Sequence, residues 1–411
     1  MTQELIISTD DVESPAGTTQ VAVENSEAAQ ALIVSEGSRL CAAAAGHGAR
    51  AILLTGSMSR GEATLKKNGA SWRALGDATF LVVFDHPLQL CTTALEREVE
   101  ASLLARGIRC KVVVVTSTAA KLREMKPHIY AYELRERGVV LWGDQKTLRL
   151  IPQFTAAEIP KEDGWWLLCN RMIEQLESAA EANGRRAAQD TAVRYRIAKL
   201  YLAMAACYLL AIGQYAPSYR ERAARLEELA QSDAPPSAPI PLVRLSRFVS
   251  QCTDLKLQGE TVAASADFPQ WSDAVSDAEV LWRWVLARIL GVSHSSSRRD
   301  LLAAMAARQT ISARAKGWVR AAYVSPSALC RNRLRWGRLA WATSPRYLVY
   351  AAASELFFAA PEPDAITADH LADIVARLPL LGREADPPRS WGSVAKLIAH
   401  NFHLLLESTR S

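Results

Sequence analysis

Two stretches decide how this chain reads: Leu54-Thr55-Gly56-Ser57-Met58-Ser59-Arg60-Gly61-Glu62, and after a polar interval Asp77-Ala78-Thr79-Phe80-Leu81-Val82-Val83-Phe84-Asp85. In the first, Ala51–Leu54 is apolar and runs into Thr-Gly-Ser, the pattern of a strand entering a tight turn. Gly56 lets backbone amides approach an anion, and a helix beginning at this turn would present its positive end to it. Arg60 adds a cation one turn later, near the same face. In the second stretch Ala78–Phe84 reads as a strand. Asp77 and Thr79, two positions apart, share one of its faces.

Working outward, Ser26–Ala45 reads as a helix with an apolar face, and Ala63–Gly76 as a polar, glycine-containing loop. Thr93–Arg106 is helical, with Leu95, Val99, Leu103 and Leu104 near one face; Arg109–Thr116 is a valine-rich strand. Lys126–Arg137 is a further helix and Val139–Trp142 a short strand. Strands alternating with helices indicate an α/β domain over residues 26–150, and three or four strands suit a small mixed sheet with helices on one side. After Pro152 long helical patterns dominate: Trp165–Ala182, Thr191–Ile212, Ser218–Ala230, Leu242–Lys256, Ser276–Leu290, Arg346–Phe358 and Val394–Leu406. The region 155–411 is therefore all-α, with a proline-rich linker at Asp233–Pro241 and no fixed-period repeat. Residues 1–25 read as a mobile acidic tail.

The 411 residues suit two or three domains, and 49% apolar with 22% charged residues is ordinary for a globular chain. The net charge of +5 is too small to argue for nucleic acid by itself. Residues 1–38 carry acids and no Lys or Arg, so the remainder is more basic than the total implies, which is compatible with anionic ligands and also with ordinary helical surfaces. Seven scattered cysteines without C-x-x-C spacing read as buried thiols of a reducing, cytoplasmic compartment. The beginning of the chain lacks a basic-then-apolar leader pattern. Ile197–Gly213 is the most membrane-like stretch, but it is short, contains Lys199, and reads as a core helix; no membrane is expected.

Gly56, Ser57, Arg60, Gly61, Glu62 and Asp77, set between apolar strands, resemble the nucleotidyltransferase superfamily that includes the minimal and the aminoglycoside nucleotidyltransferases. The pattern there is an apolar strand, Gly-Ser, a short helix often containing Arg-Gly-Glu, then a strand bearing Asp-x-Asp. The match covers residues 49–85, and the ending Arg135-Glu136-Arg137-Gly138-Val139-Val140-Leu141-Trp142-Gly143 is also similar. This resemblance implies a nucleoside triphosphate held by Gly56, Ser57, Arg60 and Glu62, with Mg2+ on Asp77 and the position two residues on, Thr79. It implies transfer of a nucleoside monophosphate to a hydroxyl with release of pyrophosphate, Asp77 being catalytic. Sugar, antibiotic, protein and RNA ends all fit as acceptor.

Two departures bear on turnover. The second position of the pair is Thr79, a neutral hydroxyl and a poor ligand for a hard cation beside carboxylate. The strand Arg109–Thr116, which in the family supplies a third acid, has none and carries Lys111. Two outcomes stay open: a catalytically inactive nucleotide-binding or scaffold module, or an enzyme recruiting an unusual acid such as Glu62, Asp85 or Glu98. Leu167–Arg171, Tyr195–Lys199 and Gly213–Arg222 are similar to helical extensions of bacterial nucleotidyltransferase-like proteins. Asn170, Arg171, Lys199, Tyr219, Arg220 and Arg222 are candidates to close over the cleft, or form a solvated helix face with a capped loop.

Other features carry less. Arg123 and His128 have the R-x4-His spacing of helical ribonuclease toxins but lie in the α/β part. Arg331–Arg338, basic with an interleaved aromatic, offers a nucleic-acid-binding alternative; as the exposed side of a helix it would pack Leu334 and Trp341 inward. Of Trp282 and Trp284, one is expected in the core and the other at the surface. His400 and His403 lie on an apolar helix with no carboxylate nearby in sequence. Neither a Gly-x-Ser-x-Gly elbow nor a Walker-type loop occurs.

Overall fold

The computed structural model describes residues 25–87, 90–181, 191–258, 267–326, 333–359, 366–380 and 390–407. The acidic tail at 1–24 and the start of the basic segment at Arg331 lie outside them.

Helix α1 (Ser26–Ala45) begins at Asn25, whose side chain accepts the Ala28 N–H at 2.8 Å. Strand β1 (Ala49–Thr55) then enters the centre of a four-stranded sheet. It runs antiparallel to β4 (Ala78–Phe84), with Thr55 opposite Thr79, and antiparallel to β7 (Val139–Gly143) on its other edge. Beyond β4 lies β6 (Val112–Thr118), parallel to it, with Thr79 opposite Val113. A smaller sheet of β2 (Leu65–Asn68), β3 (Ser71–Ala74) and β5 (Ile108–Arg109) stands beside it.

The run Ala51–Leu54 is buried throughout because both faces of the sheet are covered. Its alternate residues part between two cores. Ile52, Leu54, Phe80 and Val82 meet Ile33 of α1 and the Leu95–Val99–Leu103 stripe of α2 (Thr92–Ala105). Ala51, Leu53, Leu81 and Val83 meet Leu122 of α3 (Ala119–Arg123) and Ala131 and Leu134 of α4 (Ile129–Arg137). The helices-on-one-side expectation is thus corrected: the helical region completes the second layer by supplying Ala206 and Leu210. Helix α1 lies so close to the sheet that a Cβ on Gly37 would sit 2.1 Å from Phe80 Cζ.

Two further local readings change. Ala63–Gly76 is not a loop but the β2–β3 hairpin, closed by Gly69-Ala70 with Gly69 at φ +58°. Leu104 turns away from the α2 stripe and is 56% exposed, because Leu95, Val99 and Leu103 already define the buried face.

The helical region comprises α5 (Lys161–Glu181), α6 (Thr191–Ala211), α7 (Tyr219–Ala230), α8 (Leu242–Gln258), α9 (Trp271–Leu290), α10 (Arg298–Ala307), α11 (Ile311–Val324), α12 (Arg333–Ala342), α13 (Pro345–Phe358), α14 (Ala368–Arg377) and α15 (Trp391–Glu407). One core runs from Trp165 to Leu405, so Asp233–Pro241 joins two packed helices of a single unit. Helix α6 is its axis: every residue from Leu200 to Ala211 is buried, and Tyr201 donates to Asp277 at 2.7 Å. No described helix is long and apolar enough to cross a membrane.

Both Trp282 and Trp284 are buried, contrary to the split expected of them, because α9 is covered on more than one side. Trp282 meets Trp165 and Phe358, and Trp284 meets Tyr208. In α12 the buried residue is Trp336, while Leu334 and Trp341 point outward, the reverse of the expected packing. Trp336 Nε1 donates to Pro379 O at 2.9 Å and Arg335 Nη2 to Ala376 O at 2.8 Å, which fixes that rotation and ties Arg335 to the end of α14. His403 does meet a carboxylate, Glu177 of α5, at 3.0 Å. His128 caps α4 by accepting the Ala131 N–H at 3.0 Å.

Candidate functional site

The Gly-Ser segment leaves β1 as a series of tight turns. Gly56 takes φ +77°, Glu62 N–H reaches back to Ser57 O at 2.9 Å, and Gly61 at φ +67° stops the turn before a helix can propagate. The short helix expected after Ser57 is therefore absent, and Arg60 projects from a turn. Its side chain is 6% exposed, with Nε 3.1 Å from Glu62 Oε2 and Nη1 3.1 Å from Glu133 Oε2.

Glu62 has a different task from the phosphate contact expected of it. Its two oxygens accept the N–H groups of Tyr219 and Arg220, each at 3.1 Å, at the first turn of α7. A carboxylate from the α/β part thus caps a helix of the other part, where the positive end of the helix favours it. Ser218 completes the start of α7 through a capping box with Glu221.

Between the turn and the helices lies a cavity of about 270 Å³. Ser57, Arg60 and Gly76 line one side; Arg171 of α5, Lys199 of α6, Arg222 of α7 and Lys256 of α8 line the other. Five cations thus face a space in which Glu133 is the lining carboxylate. Glu133 is already engaged: Tyr215 OH donates to it at 2.6 Å, and Arg222 Nη1 lies 3.7 Å away. Arg171 pairs with Glu174. Lys199 has no ion-pair partner among the described residues, and Lys256 is held by neutral hydroxyls, Thr64 Oγ1 at 2.8 Å and Tyr195 OH at 2.9 Å. Burial, then the neighbouring Lys199 and Arg171, push the Lys256 ammonium down to about 8. Burial and then Arg171 lower Lys199 as well.

Of the residues singled out in the sequence, Ser57, Arg60, Arg171, Lys199, Tyr219 and Arg222 meet at this cavity. Asn170 accepts from Tyr350 in the helical core instead, and Arg220 is exposed. Asp77 is exposed, beside the lining residue Gly76 and close enough to Lys199 for their charges to interact. Thr79 is half-buried, its Oγ1 about 4.0 Å from where a Cβ on Gly56 would stand. Asp85 is at the far end of β4, about 26 Å along an extended strand from Asp77, where it pairs with Arg50 at 2.7 Å. Glu98 is exposed on α2. Neither acid joins Asp77.

Among the described residues no three His, Cys, Asp or Glu side chains converge as a metal site. The donors at the motif are one carboxylate and one hydroxyl. That set can share a single Mg2+ with phosphate oxygens and does not fit a two-metal clamp. Lys256, Glu133 and Tyr215 were not legible as site residues, since each joins through partners remote in sequence. A scan against models of known protein families finds no match for this chain, and neither does a comparison with curated proteins.

Proposed function

We propose that this chain is a nucleotidyltransferase-like protein that binds a nucleoside triphosphate, with protein cations performing the charge neutralisation that carboxylate-held metal performs elsewhere. The observation that carries the reading is the convergence of Arg60, Arg171, Lys199, Arg222 and Lys256 on one cavity beside the Gly56-Ser57 turn. Among the described residues neither Lys199 nor Lys256 forms an ion pair with a carboxylate, and each is lowered by its cationic neighbours, so an anion entering the cavity relieves an existing repulsion. The order of β1, a Gly-Ser turn, and β4 with Asp77 at its head agrees with the motif resemblance.

In this reading Ser57 and Arg60 hold the phosphates from the sheet side, and the helical cations hold them from above. Asp77, with Thr79 beside it, would hold Mg2+ against phosphate oxygens. Magnesium supplies charge neutralisation there and adds to a site already cationic. Binding without turnover is the reading favoured, because Glu62 and Glu133 are engaged by Arg60, Tyr215 and the α7 amides. Calorimetry with ATP, in Mg2+ and then in EDTA, tests it: binding is expected under both conditions. Absence of binding in both refutes it, and strict Mg2+ dependence refutes the role given to the cations.

A further inference from the structure

We infer that the cavity receives the phosphate chain alone and leaves the nucleoside outside, so that the site is blind to the base and inorganic tripolyphosphate suffices as ligand. The inference rests on the polyphosphate reading above and narrows it.

Three observations lead there. The first is size. Sites that enclose a drug-sized ligand run from about 300 to 1,000 Å³, and this cavity is about 270 Å³. A space at the low edge of that range matches a chain of phosphates more closely than an enclosed nucleotide.

The second is the state of the aromatic rings. A base held without hydrogen bonds needs an open π-face to stack on. The Tyr219 ring is taken by Arg222 at 4.8 Å and Arg60 at 5.6 Å. The Tyr195 ring is taken by Lys199 at 5.2 Å and Lys256 at 5.4 Å. Tyr215 carries Arg222 at 5.4 Å and meets Tyr132 edge-on. The rings serve as supports for the cations.

The third is the hydrogen-bonding inventory. Distinguishing one base from another requires acceptors for exocyclic amines as well as donors. The lining carboxylate is spent within the protein, Glu133 on Arg60 and Tyr215, and Tyr215 OH accepts from Arg222, which leaves the hydroxyls of Ser57 and Tyr219 as the side-chain acceptors of the lining. The opposite wall is aliphatic, formed by Leu202, Ala203 and Ala206. What remains is donor capacity: five cations line the cavity against one carboxylate, and among the described residues Lys199 has no ion-pair partner. Cationic donors in such excess over acceptors favour the oxygens of an anionic phosphate chain over the mixed donor–acceptor edge of a base.

The experiment is calorimetric titration of the full chain with sodium tripolyphosphate, ATP, GTP, CTP, UTP, AMP and adenosine in one buffer. The four triphosphates are expected within about threefold of one another, tripolyphosphate within about tenfold of them, AMP weaker and adenosine silent. The double variant Lys199→Met, Lys256→Met, checked for its fold by circular dichroism, is expected to weaken tripolyphosphate and ATP by the same factor. A spread above a hundredfold among the four bases, or tight ATP with no tripolyphosphate binding, overturns the inference and leaves the nucleotide reading standing. Silence from every phosphorylated ligand overturns both.

Discussion

Replacing Lys256 by methionine removes a cation that the fold holds in an unfavourable setting. Lys256 is 5% exposed, and its ammonium is pushed from the ordinary 10.5 down to about 8 by burial and by Lys199 and Arg171. At about 1.4 kcal/mol per pH unit, keeping it charged at pH 7 opposes folding by about 3 kcal/mol. Against this stand its charged hydrogen bonds to Thr64 and Tyr195, each contributing about 1.5 kcal/mol. Methionine preserves the length of the stem, so the terms offset and Lys256→Met is expected to stay within about 1 kcal/mol of wild-type stability at pH 7. The wild-type stability has a pH signature. Below about pH 8 both folded and unfolded chains hold the proton and the penalty is complete. Between about 8 and 10.5 the unfolded chain binds the proton that the folded chain has released, so stability rises with pH across that window. The variant lacks that rise. Its triphosphate affinity is expected to drop by about tenfold to a hundredfold, the worth of one charged hydrogen bond. Thermal melts at pH 7 and pH 9.5, with calorimetry at pH 7, read all three quantities. A variant that melts far lower at pH 7, keeps the wild-type pH slope and binds ATP unchanged would refute the reasoning.

Arg60→Ala is expected to weaken triphosphate binding far more than Lys67→Ala. It should also destabilise the chain by about 3–5 kcal/mol, because Glu62 and Glu133 lose a buried partner; Lys67 is exposed over the Trp72 ring, and equal effects on ATP affinity would count against the site. Gly37→Ala drives a methyl group into Phe80 and should lower stability by about 1–3 kcal/mol in urea unfolding, with an unchanged midpoint contradicting the α1–sheet contact. Thr79→Asp places a second carboxylate on the strand face of Asp77, and ATP affinity should then respond to Mg2+ more steeply than in wild type. If Thr79 serves only packing, the substitution lowers the melting temperature and leaves the Mg2+ response as it was.

Legibility in the sequence followed the range of the interactions. Helix α1 and strand β4 run between the residues expected, Ser26–Ala45 and Ala78–Phe84, because periodicity and capping are encoded within each segment. The β2–β3 hairpin was not readable as strand, since Lys66 and Lys67 are exposed and only Trp72 is fully buried. The helix expected after Ser57 fails at Gly61, whose positive φ the composition permits but does not announce. At the site, Arg171, Lys199, Tyr219 and Arg222 were singled out through the resemblance of their segments to helical extensions of nucleotidyltransferase-like proteins, and they line one cavity. Lys256 was not, as it meets Thr64 across 192 residues. The reversed face of α12 has the same origin: Arg335 and Trp336 bond to carbonyls of residues 376–379, which no local pattern foretells.

The cap that Glu62 places on α7 has a consequence for how the molecule comes into being. During synthesis the Gly-Ser turn emerges long before its partners: Tyr219 and Arg220, which receive the carboxylate, and Lys256, which receives Thr64. At about 5–20 residues per second, the interval from residue 62 to residue 256 lasts about 10–40 s. Through that time the nascent α/β half carries an acid, an arginine and a threonine destined for burial yet still in water, so its Gly56–Glu62 turn is the last part of it to set. The sheet can form early, but the cationic cavity is complete only once α8 has been made and docked.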